Sequence, residues 1–158
     1  MRFDLMYDAF FKILSLDNLN EGIGLTLQVV FIATILGLGL AIIVALMRIS
    51  KVRAYNVSSY YFIYLIRGTP LLLQLYFIYY GLGQFEFIRE SFLWPVLREP
   101  FWCGIITLTI STGAYSAEII RGGIQSVSAG QIEAGKALGL SKFSLFIKII
   151  APITIRQA

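Results

Sequence analysis

One uninterrupted apolar segment limits what this chain can fold into more than any other feature. The segment from Gly22 to Met47 contains no charged residue. As a helix, at about 1.5 Å per residue, it is longer than the roughly 30 Å hydrocarbon core of a bilayer. Hydrophobic residues make up 58% of the chain and charged residues only 14%, which argues against a buried helix of a soluble protein. The sequence therefore predicts an all-α integral membrane protein.

A cleavable signal peptide is the alternative interpretation of this segment. The residues before it include several acidic ones, among them Asp4 and Asp8, whereas a signal peptide begins with a positively charged region. The segment is also far longer than the apolar region of a signal peptide, which has about 7–15 residues. We therefore interpret it as an uncleaved first span. The single cysteine, Cys103, excludes an internal disulfide.

Two further apolar segments predict a second span over residues 58–82 and a third over residues 101–122. Basic residues concentrate between the first and second spans and after the third, which predicts that these two regions are cytoplasmic and that the N-terminus lies outside. The cytoplasmic group is Arg48, Lys51, Arg53, Arg67, Arg121, Lys136, Lys142, Lys148 and Arg156. The opposite side carries Arg2, Lys12, Arg89 and Arg98, mixed with a larger number of acidic residues.

Small residues recur every four positions along two of the spans, a spacing that lets helix backbones approach closely in lipid. The alternative is that alanine and glycine are simply common in membrane helices. The persistence of both patterns over several turns favours packing. The residues are Ala33, Gly37, Ala41 and Ala45 in the first span, and Thr109, Gly113 and Ala117 in the third.

The second span contains an arginine next to a Gly-Thr-Pro sequence. Thr69 is a candidate N-cap for a helix that starts at Pro70, because proline lacks an amide that would otherwise be unsatisfied. The second span is then either broken at this point or preceded by an interfacial helix that carries Tyr55, Tyr60, Tyr61 and Tyr64. A Gly/Pro interruption of a span indicates a moving or substrate-lining region. Arg67 itself is also explained by a side chain that extends to the cytoplasmic headgroups. Gln74 is a further candidate lining residue.

The third span is rich in hydroxyl groups, which suit either a water-filled path or hydrogen bonds between helices. Glu118 and Arg121 are three residues apart, so they either neutralise each other or take part in gating. The path-lining or gating candidates are Arg67, Gln74, Thr112, Tyr115, Glu118 and Arg121.

Several kinds of catalytic site are excluded by the residues themselves. The chain has no histidine and one cysteine, which excludes His-containing zinc sites, Cys-His nucleophiles and common haem sites. No Walker sequence is present, so ATP would have to bind another chain. No cofactor or metal is expected.

The segment after the third span, about residues 125–152, has a different character. A short helix is predicted from Ala129 to Leu138, ended by Gly139 in the left-handed conformation, and Ser141 can cap the helix that follows. A short helix with small side chains suits docking into a partner's groove. An amphipathic loop on anionic lipid is an alternative, and DNA binding is disfavoured directly after a membrane span.

This segment resembles the cytoplasmic coupling loop of permease subunits of ABC importers. That family has Glu-Ala-Ala, three residues, Gly, nine residues, then Ile-x-Leu-Pro. The matching positions are Glu133, Ala134, Gly139, Ile149 and Pro152, with Gly135 and Ala151 replacing an Ala and the Leu.

The stretches "RGTPLLLQLYFIYYGL" and "GAYSAEIIRGGIQSVSAGQIEAGKALGLS" also resemble the polar amino-acid branch of that family, for residues such as glutamine, histidine or arginine. Ser128 stands where that branch usually has proline. The resemblance implies the type I ABC importer permease fold. Since permeases of this branch have about five spans, we expect residues 1–158 to form a partial permease domain with the first three spans and the coupling loop.

The resemblance further implies a mechanism and partners. Two ATPase subunits would hold the loops of two permease subunits, identical or different, and an extracytoplasmic binding protein would deliver the amino acid in a bacterial inner membrane. The coupling residues implied are Glu133, Ala134, Gly135, Gly139, Ile149 and Pro152. A non-transporting membrane scaffold or regulatory subunit and an ion-coupled secondary carrier are the alternative functions, and a membrane enzyme is least favoured.

Overall fold

The computed structural model describes residues 16–157, which form helices joined by short connections. The first half contains α1 (Leu16–Ile49), α2 (Arg53–Gly68), α3 (Leu71–Tyr76), a π-helix (Phe77–Gly81) and a 3-10 turn (Leu82–Gln84). The second half contains α4 (Glu86–Arg89), α5 (Trp94–Leu97), α6 (Pro100–Gln125), α7 (Ala129–Ala137), α8 (Lys142–Leu145), a π-helix (Phe146–Ile150) and α9 (Ala151–Gln157). Arg2 and Lys12, which contribute to the predicted orientation, lie outside the described residues.

Two of the described helices are long and apolar enough to cross a membrane, α1 from Asn20 onwards and α6. A third crossing is possible if α2 and the segment Leu71–Gln84 are one span, which is bent by 104° at residues 69–70. The bend confirms the predicted interruption of the second span. Residues 16–157 contain helices and short connections but no β-strand, which confirms the predicted all-α fold class.

Close packing between α1 and α6 forms the centre of the molecule. A Cβ atom on Gly37 would lie 2.7 Å from the Thr112 Cβ, and one on Gly113 would lie 2.7 Å from Leu40 Cδ2. These contacts confirm the predicted role of the small residues, because any larger side chain would separate the helices. The buried small residues are Ala33, Ala41 and Ala45 of α1, and Ala114 and Ala117 of α6.

The corner between α1 and α2 is fixed by reciprocal hydrogen bonds. Arg48 Nη1 donates to Asn56 Oδ1 over 2.7 Å, and Asn56 Nδ2 donates to the Arg48 carbonyl oxygen. Ile63, about two helical turns after Asn56 in α2, is buried against Ala41, Val44 and the other members of the α1–α6 core. The start of the second span is thus held against the first.

The prediction that Thr69 caps the helix after the bend is wrong. Pro70 has an extended backbone (φ −60°, ψ 138°) and is itself the N-cap residue, so α3 starts at Leu71. The Thr69 hydroxyl instead donates backwards to the carbonyl oxygen of Leu65, over 2.9 Å. The physical reason is that Pro70 itself has a ψ of 138°, outside the helical region, so the helix starts one residue later and the cap position moves from Thr69 to Pro70.

The segment after α6 forms the predicted helix–turn–helix. Gly139 has φ +73° and ends α7, as expected for a glycine in the left-handed region. The Ser141 hydroxyl accepts a hydrogen bond from the Ser144 amide over 3.2 Å and caps α8, as predicted. At the start of α7, Ser128 and Gln131 form a capping box that the sequence analysis missed.

Candidate functional site

A cleft lined by charged and aromatic side chains opens between α2, α6 and the end of α1. It has a volume of about 380 Å³. We call it the charged cleft. Its polar and aromatic lining residues are Arg48, Tyr60, Tyr64, Arg67, Tyr115 and Glu118.

Two arginine side chains in the charged cleft are placed over tyrosine rings. The Arg48 Cζ lies 5.1 Å from the centre of the Tyr60 ring, and the Arg67 Cζ lies 5.2 Å from the centre of the Tyr115 ring. A guanidinium over an aromatic face gains about 0.5–1 kcal/mol where it is exposed and more where water is excluded. These contacts orient both cations, and Arg48 is held further by its donation to Asn56 Oδ1.

Glu118 supplies the one carboxylate of the cleft within the described residues, and it pairs with Arg121 one turn along α6. Arg121 Nε donates to Glu118 Oε1 over 2.9 Å, and a second guanidinium nitrogen contacts the same oxygen. Arg121 also donates to the side-chain oxygen of Gln125. Since Glu118 is neutralised by Arg121, the cleft retains the positive charges of Arg48 and Arg67.

The structure therefore brings some of the predicted path-lining residues together and separates others. Arg67, Tyr115 and Glu118 line the same cleft. Arg121 does not line it but donates a hydrogen bond to Glu118. Thr112 lies instead in the α1–α6 interface opposite Gly37. Gln74 lines a separate apolar cavity of about 460 Å³ beside Ile110.

Sequence reasoning missed Arg48 as a member of the cleft. The sequence predicts for Arg48 only a role in the orientation of the chain in the membrane. Its position at the end of the first span, just before the corner that leads into α2, is the feature that indicates a place in the cleft. Within residues 16–157, no three histidine, cysteine, aspartate or glutamate side chains lie close enough together to bind a metal ion.

The second candidate site is the surface of α7. Side chains spaced three and four residues apart share one helix face, and on this helix that face is exposed, with Leu138 at 81% exposure. We call it the outer face of α7. It consists of Gly130, Glu133, Ala134, Ala137 and Leu138.

Two of the other predicted coupling residues, Gly135 and Ile149, pack against each other inside the loop. Gly135 is buried, and a Cβ atom there would lie 2.5 Å from Leu145 Cδ1 and 2.7 Å from Ile149 Cδ1. Pro152 lies in α9 and is exposed. Of the six predicted coupling residues, Glu133 and Ala134 thus lie on the outer face, while Gly135 and Ile149 face the interior of the loop.

Comparison with known proteins relates this arrangement of helices and loop to a protein family. The family described as "Binding-protein-dependent transport system inner membrane component" matches residues 15–158. The chain belongs to this family. The helical fold is that of an ABC importer permease, as the resemblance in the sequence implies.

Individual members of the family are closely similar to this chain. The octopine transport system permease protein OccM of Rhizobium radiobacter is 49% identical over 139 residues, covering 88% of this chain and 57% of the relative. The nopaline transport system permease protein NocM of Agrobacterium fabrum is 46% identical over 159 residues, covering 100% of this chain and 64% of the relative. The histidine/lysine/arginine/ornithine transport system permease protein HisM of Escherichia coli is 36% identical over 138 residues, covering 87% and 58%.

A solved structure is similar as well. The crystal structure of an amino acid ABC transporter with histidines superposes with a TM-score of 0.69 and 36% identity, over 84% of this chain and 57% of that chain. The chain thus spans between 57% and 64% of the length of the relatives named here. The three relatives named above are transport system permease proteins, and the solved structure is that of an amino acid ABC transporter.

Proposed function

We propose that this chain forms the membrane-spanning permease part of an ATP-driven importer of polar amino acids. The observation that carries the proposal is the permease-family match over residues 15–158 together with the exposed outer face of α7. The relatives' names refer to octopine, nopaline, histidine, lysine, arginine and ornithine. We infer a polar amino acid or amino-acid derivative as the solute.

The outer face of α7 would bind a separate ATPase subunit. Its small side chains at Ala134 and Ala137 allow a close approach, and Leu138 offers an apolar side chain to a groove. Glu133 would contribute the one carboxylate of this face. ATP binding would bring two such ATPase subunits together and move the loops of two permease subunits. This movement would shift the equilibrium of the membrane helices between an inward-open and an outward-open state.

The orientation that follows places the loop in the cytoplasm and the N-terminus outside, in a bacterial inner membrane. The basic residues of the loop, Lys136, Lys142 and Lys148, support this orientation through the enrichment of lysine and arginine on the cytoplasmic side. An extracytoplasmic binding protein would deliver the amino acid on the opposite side, where this orientation would put the α4–α5 connection.

The charged cleft would form part of the path. Its net positive charge from Arg48 and Arg67 is suited to the carboxylate that every amino acid carries, and Tyr60 and Tyr115 provide polarisable walls. Glu118 would either bind a cationic group of the solute or release Arg121 during gating.

Site-specific crosslinking tests the proposal. A cysteine at Ala137, in a Cys103→Ser background, is expected to form an adduct with an ATPase subunit in native membranes, and trapping with ATP is expected to alter its yield. A cysteine at Phe92, which is 89% exposed in the α4–α5 connection, is the matched control and is expected to give no such adduct.

Uptake of radiolabelled arginine or histidine by the assembled transporter completes the test. Uptake that needs the ATPase supports an importer. Uptake that follows an ion gradient and survives loss of the ATPase would show a secondary carrier. Crosslinking without uptake, in an assembly with all its partners, would indicate a scaffold and contradict the proposal.

A further inference from the structure

We propose that Gln74 is a positioning residue that fixes the bend between α2 and α3 and thereby holds Arg67 in the charged cleft. The side chain does this by replacing backbone donors that the bend removes. Its effect on transport rests on the proposed function of the cleft, whereas its effect on the bend is independent of that function.

The bend leaves carbonyl groups without their usual helical donors. In a continuous helix the carbonyl of Ile66 would accept a hydrogen bond from residue 70, but Pro70 has no N–H. The carbonyl of Leu65 also needs another donor, because Thr69 has left the helical conformation. In a membrane each unsatisfied backbone group costs several kcal/mol, since no bulk water is available. Such a break is stable only if side chains take over.

The Gln74 amide is placed to do so. Its Nε2 atom donates to the carbonyl oxygen of Ile66 over 2.7 Å, to the carbonyl oxygen of Thr69 over 3.0 Å and to Thr69 Oγ1 over 2.9 Å. The Thr69 hydroxyl in turn donates to the carbonyl oxygen of Leu65 over 2.9 Å. The two side chains form one connected network across the bend, which we call the amide clasp.

The orientation of the amide is determined by its surroundings. Turning the group over would place its oxygen against two carbonyl oxygens, so the nitrogen must face the bend. The consequence is that Gln74 Oε1 is buried without a hydrogen-bond partner within the described residues. A buried acceptor without a hydrogen bond destabilises the folded state. The Gln74 amide thus leaves its oxygen unpaired and directs its N–H groups to the carbonyl oxygens at the bend. This arrangement indicates that the side chain stabilises the bend.

The clasp lies next to the residue that it positions. Arg67 directly follows Ile66, whose carbonyl is held by Gln74, and its guanidinium lies over the ring of Tyr115 on α6. A change in the direction in which α2 ends would move Arg67 relative to α6. Gln74 lines the separate apolar cavity and not the charged cleft, so an effect of Gln74 on the charged cleft would act through Arg67.

Spin-label distances measure the bend directly. Labels at Val57 on α2 and Tyr80 beyond α3, both exposed, would be introduced in a Cys103→Ser background of the complete transporter in lipid nanodiscs. The unsubstituted chain is expected to give one narrow distance distribution. Gln74→Leu, which keeps the size but removes the donor, is expected to broaden or shift it.

Gln84→Leu is the matched control. It changes the same residue type in the same bent segment, but its amide contacts only the carbonyl oxygen of Tyr80 at 3.3 Å and is exposed. It is expected to leave the distribution unchanged. If Gln74→Leu does not assemble, Thr69→Val removes the hydroxyl of the clasp alone and is expected to give a smaller broadening. An unchanged distribution in every clasp variant that assembles would overturn the proposal.

A double-substitution experiment tests the positioning of Arg67. Arg67→Ala and Gln74→Leu are each expected to raise the KM for uptake, roughly tenfold for the loss of a hydrogen-bonded charged contact. If Gln74 acts through Arg67, the double variant is expected to match Arg67→Ala alone. Multiplying effects would refute positioning. A parent transporter without amino-acid uptake would refute the proposed function, while the spin-label distances would still decide the role of the clasp.

Discussion

Gly123 of α6 packs directly against the backbone of Thr154 in α9. A Cβ atom at position 123 would lie 2.9 Å from the Thr154 carbonyl oxygen and 3.3 Å from its Cα. Because these are backbone atoms, neither can turn away as a side chain could. The contact joins α9 to α6, and together with the Leu145 and Ile149 contacts at Gly135 it gives a continuous packed route from α7 to α6.

Gly123→Ala is expected to push α9 away from α6. Forcing a methyl group into a packed contact typically costs about 1–3 kcal/mol. We expect a lower unfolding temperature in detergent and, in the assembled transporter, ATP hydrolysis that is poorly linked to uptake. The measurement is the ratio of solute transported to ATP hydrolysed.

The neighbouring glycine provides the control. Gly122→Ala lies in the same helix turn with nothing within 4 Å of its Cβ position. Both variants gain the same helix propensity, up to about 1 kcal/mol, so the difference between them isolates the Thr154 contact. Equal stability and equal coupling in the two variants would contradict the role given to Gly123.

Local sequence patterns predicted the elements of this molecule better than the contacts between them. Gly139 and Ser141 were predictable because a left-handed glycine and a serine N-cap depend on neighbouring residues alone. The α1–α6 interface was predictable because small residues repeat at helical spacing, as at Gly37 and Gly113.

Contacts between distant residues could not be derived in this way. The Gly123–Thr154 contact, the donors of Gln74 and the place of Arg48 in the cleft depend on how separate helices cross. Thr69 was misassigned for a local reason, because the sequence allows proline either as the first helical residue or as the cap. The backbone of Pro70 decided for the cap.

The α1–α6 interface gives a second prediction. Gly37→Leu is expected to separate the two helices, because even a Cβ atom would lie 2.7 Å from Thr112 Cβ. A loss of at least about 1–3 kcal/mol in stability follows from overpacking, measured as a lower unfolding temperature. Gly39→Leu, at a position with open space around it, is expected to unfold like the parent. A Gly37→Leu protein as stable as Gly39→Leu would show that the interface is looser than described.

The interior of the loop gives a third prediction, one of tolerance rather than damage. At Gly135 the nearest atoms are Leu145 Cδ1 and Ile149 Cδ1, the flexible ends of side chains. Gly135→Ala is therefore expected to cost less than about 1 kcal/mol relative to Gly130→Ala, which has no neighbour within 4 Å and gains the same helix propensity. Gly135→Leu is expected to expel α8 from its place. Protease protection of the loop distinguishes these outcomes, and a fully protected Gly135→Leu loop would contradict the packing.

The start of α7 gives the last prediction. Ser128 accepts a hydrogen bond from the Gln131 amide over 3.3 Å, and its own amide donates to Gln131 Oε1 over 3.2 Å. Ser128→Ala removes the first bond, which typically costs about 1 kcal/mol.

Ser128→Pro removes both bonds, yet the backbone at this position has φ −69°, which is the value that a proline ring imposes. Proline also lowers the conformational entropy of the unfolded chain, which stabilises the folded state by about 0.4–1 kcal/mol. We therefore expect the proline variant to protect α7 in hydrogen exchange at least as well as the alanine variant. Weaker protection in the proline variant would show that the capping box, rather than the backbone conformation, sets the stability of α7.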